Sequence, residues 1–209
     1  MMNKKNKKDF TAFKNKYVLE SRQEEQLKIY IDLLEYWQKR TKLVSSADVH
    51  NIVSKHISES FQFLNVNYIN TLDSVMDLGS GGGFPGIPLA VMCPNTKFVL
   101  LDSRRIKTLF IQDVVEMAKL SNVKVVCQRV EKVIAEMELF FNVVTARAVS
   151  TLESLWHWSE PLLVEGGVLL AQKGGDIDKE VKTISNECTV EVYSVFDDIT
   201  KKLIVLKKE

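Results

Sequence analysis

The chain has 209 residues, 45% hydrophobic and 26% charged, with a net charge of +1. That composition excludes a disordered chain, and the near-neutral balance excludes a polycation that coats nucleic acid indiscriminately, so any nucleic-acid contact must come from local patches. No apolar run approaches the roughly 18 residues needed to cross a bilayer and the start, MMNKKNKKDF, lacks the apolar core of a secretory signal, which predicts a cytoplasmic protein without a membrane partner.

Residues 1 to about 20 carry Lys4, Lys5, Lys7, Lys8, Lys14 and Lys16 against Asp9 and Glu20, and read as a solvated, frayed basic arm, with a phosphate-seeking arm as the alternative. Ser21 with Glu24 has the form of a capping box, after which Leu27, Tyr30, Ile31, Leu34 and Trp37 recur at helical spacing. A second helix is predicted after Asp48 as N-cap, with Val49, Ile52, Val53, Ile57, Phe61 and Leu64 on its apolar stripe. Residues 1–70 are thus expected to form a basic arm and a helical layer.

From residue 71 the pattern alternates. Asp73 to Leu78 reads as a strand running into glycines, Pro85 to Met92 as a helix, and Lys97 to Asp102 as a second strand. Ile106, Leu109, Phe110, Val114 and Met117 mark the next helix, followed by strands at Val123 to Cys127 and Phe141 to Thr145. Ser150 and Glu153 suggest a capping box before a helix containing Trp156, and Gly167 to Ala171 is a fifth strand. Strands alternating with helices require crossovers, hence a parallel sheet covered on both faces. Thr189 to Phe196 and Leu203 to Lys207 break this rule, because the polar link between them is too short for a crossover helix, and they are expected to pair antiparallel. Cys93, Cys127 and Cys188 are far apart and odd in number; they read as buried, inert thiols, with neither a disulfide framework nor a metal site expected.

MDLGSGGGFPGIP, residues 76–88, joins the first strand to its helix and suits a backbone that approaches a nucleotide-like ligand closely. Gly81, Gly83 and Gly86 satisfy the dinucleotide fingerprint, with Asp102 close to where a ribose-binding acid belongs. Asp77, Gly79, Gly81 and Gly83 equally form the DxGxGxG of S-adenosylmethionine sites. Two features favour the methyl donor. The closing hairpin is typical of methyltransferases of this fold, and a carboxylate at Asp77 would repel a pyrophosphate at the helix N-terminus, whereas the sulfonium donor carries no phosphate. Asp77 can accept hydrogen bonds from the methionine ammonium end or from the loop itself.

Ligands of open parallel sheets lie across the carboxyl ends of the strands. Asp102 is therefore placed to accept from ribose hydroxyls, with a helix N-cap as its structural alternative; Val130 and Glu131 can bracket an adenine, and Arg147 falls where donor and substrate meet. The loop after the fourth strand, Thr145-Ala146-Arg147-Ala148-Val149, is not the Asn/Asp-Pro-Pro-aromatic loop of adenine amino methylation. Cys93 lies far from the expected methyl position, against a cysteine-nucleophile C5 mechanism. What remains is a nucleophile with a ready lone pair, such as guanine N7 or one of several small molecules.

The run GSGGGFPGIPLA, with its Pro85-Gly86-Ile87-Pro88 tail, resembles the bacterial 16S ribosomal RNA guanine-N7 methyltransferases, the small-subunit methyltransferase G or glucose-inhibited division protein B family. The similarity continues through Lys55-His56, Leu101-Asp102-Ser103, Arg129-Val130-Glu131, Val144 to Ala148, Lys173-Gly174 and Leu203 to Lys207. Two segments depart from the family: Lys42-Leu43-Val44-Ser45 stands where an asparagine-leucine-threonine segment is usual, and Lys202 where the family has arginine. The resemblance implies an α/β, Rossmann-like class I S-adenosylmethionine-dependent methyltransferase, with a mostly parallel sheet, a C-terminal antiparallel hairpin and a preceding helical layer. It divides the chain into residues 1–70 and a methyltransferase domain at 71–209.

By that likeness Gly79, Phe84 and Ser103 join the cofactor set, Val130 and Glu131 hold the adenosine, and Arg147 both contacts the cofactor and is the catalytic residue beside the methyl and the target base. Lys173, with Arg104, Arg105 and His56, would face RNA; the alternatives are the polar face of a helix for the two arginines and a satisfied core position for His56. The implied substrate is guanine of the 527 type in the decoding-region loop, on 16S rRNA or an assembling small subunit, modified by a monomer. An NAD(P)-dependent oxidoreductase and a non-catalytic RNA-binding module are the alternatives.

Overall fold

The computed structural model describes residues 2–136, 140–195 and 197–208, Glu136 by its backbone alone. Helix α1 (Lys4–Lys16) comes first. The expected frayed arm is corrected here, because Phe10 and Phe13 are spaced to share one face and bury it in the core. Asn3 caps this helix by accepting from the Asn6 amide, and Asn6, itself buried, donates to Glu35 and to the Val49 carbonyl.

Helix α2 (Ser21–Gln38) buries Leu27, Tyr30, Ile31 and Leu34 as the spacing predicts. Its capping box is built one residue earlier than expected, from Glu20 and Gln23, so Ser21 is already helical. The second stripe forms a π-helical turn (Ile52–Ile57), helix α3 (Ser58–Gln62) and a 3₁₀ turn (Phe63–Val66). Asp48 does not cap it; its carboxylate accepts from Ser45 and pairs with Lys55 at 2.7 Å.

The remaining elements are β1 (Ser74–Leu78), α4 (Gly86–Met92), β2 (Lys97–Asp102), α5 (Arg105–Met117), β3 (Val123–Cys127), α6 (Val130–Glu136), β4 (Phe141–Arg147), α7 (Leu152–Ser159), β5 (Leu163–Gly174), α8 (Asp178–Ile184), β6 (Thr189–Tyr193) and β7 (Lys201–Lys207). They build a seven-stranded sheet in the order β3-β2-β1-β4-β5-β7-β6. Strands β1 to β5 are parallel, and β7 runs antiparallel to both of its neighbours. The expected hairpin is thus present, and its second strand is the one that joins the sheet. Phe196, the expected end of β6, lies outside the described residues; the strand ends at Tyr193.

Alternation along the strands assigns side chains to two cores. Val75, Leu100, Val143, Leu170 and Val205 face α1, α2, α4 and α5, whereas Met76, Leu101, Val144, Leu169 and Leu206 face α6, α7 and α8. One helix is rotated from its expected face. In α5 the core is met by Thr108, Phe110, Ile111 and Val114, leaving Ile106 and Leu109 exposed and Met117 60% exposed. The N-cap before α7 is Thr151, which accepts from the Ser154 amide, not Ser150. No disulfide joins the three cysteines, and only Cys188 is buried; Cys93 is half-buried with its thiol pushed up to about 11 by burial, and Cys127 is exposed at the end of β3. No helix among the described residues is long and apolar enough to cross a membrane, and none of their acidic, cysteine and histidine side chains form a group able to hold a metal ion.

Candidate active site

The carboxyl ends of β1, β2 and β4 carry the chemistry. Odd positions of β1, and of β4 from Val143 onward, point toward the N-terminal helices, so Asp77 and its register partner Thr145 meet there, and Thr145 Oγ1 donates to Asp77 Oδ1 at 3.0 Å. The Gly86 amide, at the start of α4, donates to Asp77 Oδ2 at 3.1 Å. Asp77 is 0% exposed, and burial raises its carboxyl to about 6 although these hydrogen bonds favour the ionised form. Of the two sets of partners the sequence allows, the loop is the one these bonds supply: the carboxylate ties strand, loop and helix together.

The glycines follow from this arrangement as much as from a ligand. Gly79 has φ 72, and a Cβ there would lie 2.8 Å from Val149 Cγ2. A Cβ on Gly86 would lie 2.7 Å from Asp77 Oδ2, where the carboxylate must sit to reach the amide. Tyr30, wholly buried in α2, donates to the Gly82 carbonyl at 2.6 Å and so fixes the loop from outside the sheet. Sequence reading placed Tyr30 on an apolar stripe; its hydroxyl partner has no local signal.

A first pocket, of about 160 Å³, opens between the ends of β1, β2 and β3. Gly79, Asp102, Ser103, Val130 and Glu131 line it, together with Leu78, Leu101, Gln128, Val149 and Trp158, which sequence reading did not single out. Apolar walls from Leu101, Val130 and Val149 suit an aromatic base, the carboxylates of Asp102 and Glu131 suit hydroxyl or amino donors, and the missing side chain at Gly79 keeps the floor open. This donor set fits an adenosine-bearing ligand. Asp102 is also engaged with its own backbone: Oδ2 accepts from the Gly81 amide at 2.9 Å and Oδ1 from the Arg104 amide at 2.8 Å. The residue before α5 that occupies the cap position is Arg104, so Asp102 supports the helix start from outside it.

Gly81, Gly83 and Phe84 do not line this pocket. Phe84 lies buried between Tyr30, His56 and Arg147: its ring centroid is 5.4 Å from that of Tyr30 and 5.0 Å from that of His56, and the Arg147 guanidinium carbon stands 4.8 Å above it. Arg147, at the end of β4, donates from Nη2 to His56 Nδ1 at 2.9 Å, and its Nη1 is 3.6 Å from Glu59 Oε2. Burial, then the Arg147 charge, push His56 down to about 3, so the imidazole is neutral, accepts at Nδ1 and keeps its proton on Nε2. Burial likewise lowers the Arg147 pKa, opposed by the charge of Glu59. Neither sequence alternative for His56 is complete: it is buried, and it orients an arginine.

A second pocket, of about 380 Å³, lies on the other side of the β4 end and includes His56, Glu59, Arg147, Gln172, Lys173 and Lys201. Ala148 borders it and Val149 borders the first, because Ala148 takes a left-handed φ of 54 that turns the chain between them. Gln172 is the β5 neighbour of Arg147 and donates to Glu59 at 3.0 Å; Lys201 pairs with the same carboxylate. Lys173 donates to the Ser150 carbonyl at 2.8 Å and pairs with Glu180 at 2.9 Å. Arg104 and Arg105 are exposed at the start of α5, outside both pockets.

A family model described as rRNA small subunit methyltransferase G matches residues 23–202. The ribosomal RNA small subunit methyltransferase G of Neisseria meningitidis serogroup B is 34% identical over 189 residues, covering 88% of this chain and 89% of its own. That of Clostridium novyi is 30% identical over 190 residues, covering 86% and 78%. In fold, the chain is similar to the crystal structure of precorrin-6y C5,15-methyltransferase from Geobacter metallireducens, with a TM-score of 0.58 at 16% identity over 81% of this chain and 92% of that one. By the extent of these matches, the chain belongs to the rRNA small subunit methyltransferase G family.

Proposed function

We propose that this protein transfers the methyl group of S-adenosylmethionine to N7 of a guanine in 16S ribosomal RNA, of the 527 type in the decoding-region loop. The observation that carries the reading is the position of Arg147, at the turn dividing the pocket of Asp102, Val130 and Glu131 from a polar one. A bound sulfonium donor supplies an electrophilic methyl carbon. Gly79, Val130 and Glu131 hold its adenosine, with Asp102 and Ser103 at the ribose, while Asp77, Gly81, Gly83 and Phe84 act from beneath by fixing the loop.

N7 carries a lone pair, so no proton must leave before attack and positioning does most of the work. His56 Nδ1 already accepts from Arg147, which leaves that lone pair unavailable as a general base. Arg147 instead holds and orients the base. Positive charge builds on guanine during transfer, and a nearby guanidinium would oppose it; Glu59 and the Phe84 face offset the arginine charge. N7 of paired RNA lies in a deep groove, so the guanine must be unpaired or turned outward. Lys173 and His56 border the polar pocket and Arg104 and Arg105 its approaches, where RNA phosphate is expected. The same reading places the protein in the cytoplasm as a monomer acting on 16S rRNA or an assembling subunit.

The test is incubation with methyl-labelled donor and undermethylated 16S rRNA, followed by mapping. Label in 7-methylguanine is expected, and Arg147→Lys, which keeps the charge and loses the planar fork, should lower turnover at least tenfold with donor affinity unchanged. Donor binding without RNA methylation would support the RNA-binding alternative, and binding of NAD(P) in its place the oxidoreductase.

A further inference from the structure

Helix α1 lies outside the part of the chain matched by the family model, and none of the site described above uses it. We propose that its lysine face is a fixed docking surface for the phosphate backbone of the RNA substrate, continuous with the polar pocket beside Arg147. This inference rests on the rRNA methyltransferase reading.

Three observations carry it. The first is charge: Lys4, Lys5, Lys7, Lys8, Lys14 and Lys16 are all exposed, whereas the helix's one acid, Asp9, is half-buried. A chain with net charge +1 has concentrated cations on one short element. The second is rigidity. Phe10 and Phe13 are buried, and the Phe13 ring packs edge-on against Phe61 of α3 at 4.9 Å. Asn3 and Asn6 both bond Glu35 of α2. These lysines therefore stand on a platform whose backbone is already ordered, and binding phosphate costs only side-chain freedom. The helix's own stability cannot be the reason for the charge, since closely spaced lysines repel one another.

The third observation is continuity. Lys5 donates to the Asn51 side chain, and Asn51 borders a groove of about 290 Å³ where Lys55 and Lys201 stand among the carboxylates of Glu59, Asp197 and Asp198. Lys55 and Lys201 also border the polar pocket that holds Arg147. A polar surface thus runs from α1 to the reacting position, with Lys55 paired to Asp48 and Lys201 to Glu59 and Asp198 along it, so the exposed lysines of α1 carry the charge that RNA would meet first. Several exposed lysines on one ordered helix suit a polyanion, which an RNA backbone supplies. Phosphate contacts of this sort position a substrate without reading its sequence.

The test compares the full chain with Lys4→Gln/Lys7→Gln/Lys8→Gln, lysines that make no hydrogen bond or ion pair needed by the fold. Binding to protein-free 16S rRNA is measured against salt concentration, and methylation kinetics are measured on the same RNA. Each lost phosphate contact should flatten the log K against log salt slope by about 0.7 to 0.9, so a change of about 2 is expected. KM for RNA should rise roughly tenfold with kcat at saturating RNA retained. Lys4→Arg/Lys7→Arg/Lys8→Arg should behave as the parent. An unchanged salt slope and KM in the glutamine variant, with normal methylation by the parent, overturns the docking surface and leaves the methyltransferase reading standing. Loss in the arginine variant equal to that in the glutamine variant also overturns it, since charge would then not be the cause. If the parent neither binds nor methylates protein-free 16S rRNA or undermethylated small subunits, the underlying reading fails and this inference with it.

Discussion

Replacing Asp77 with asparagine should change how stability depends on pH. The carboxyl has an ordinary value of 3.8 and is raised to about 6 in the folded protein, with burial as the main cause. A raised folded value means that the native state binds the proton more tightly than the unfolded chain. The stability from this group is therefore complete below about pH 4 and is lost as pH rises through 6. The gap between 3.8 and about 6 is worth about 3 kcal/mol, at about 1.4 kcal/mol per pH unit. Asparagine preserves the shape, can accept from Gly86 and donate to Thr145, and does not titrate. Urea unfolding of parent and Asp77→Asn at a series of pH values isolates the effect, because His56 and every other group titrate in both proteins and cancel. The difference, parent minus variant, should fall by about 2 kcal/mol between pH 4 and pH 7. A flat difference, or one that rises with pH, would refute the claim that burial outweighs the hydrogen bonds at this carboxylate.

Gly79→Ala places a Cβ at φ 72 and 2.8 Å from Val149, and should weaken binding of S-adenosylhomocysteine, read by calorimetry, by at least tenfold; unchanged affinity would mean that the loop is not part of the cofactor floor. Tyr30→Phe leaves the Gly82 carbonyl without its buried donor and should cost about 1 to 3 kcal/mol in urea unfolding. Phe13→Ala should cost about 3 to 5 kcal/mol, and a variant as stable as the parent would return α1 to the status of a loose arm.

Most of the fold was legible because its signals are local and periodic. The alternation of strands with helices required a parallel sheet covered on both faces, and the shortness of the last link required an antiparallel pair. Errors arose where two local patterns compete. Lysine-rich sequence masked the pair Phe10 and Phe13, too few apolar residues to register as a stripe but enough to bury a helix face. In α5, Ile106 and Met117 are apolar yet solvent-facing, while Thr108 is buried, so hydrophobicity alone misjudged the rotation of the helix. Capping motifs were read one residue from their true positions at Glu20 and Thr151, since neighbouring polar residues satisfy the same pattern.

The site divides in the same way. Its glycines, Asp102, Val130, Glu131 and Arg147 sit at strand ends and were readable from topology. Glu59, Gln172 and Lys201 come together across long sequence separations, and nothing in their local sequence distinguishes them from solvated polar residues.

Placement of β7 between β5 and β6 has a consequence for biosynthesis. Translation delivers β5 first and β6 next, but β6 cannot reach its final place until β7 has emerged to fill the gap. Until then the β5 margin offers unpaired amides and carbonyls to any passing strand. The nascent chain must keep this margin away from its neighbours, and closure of the sheet has to wait until Lys201–Lys207 have left the ribosome.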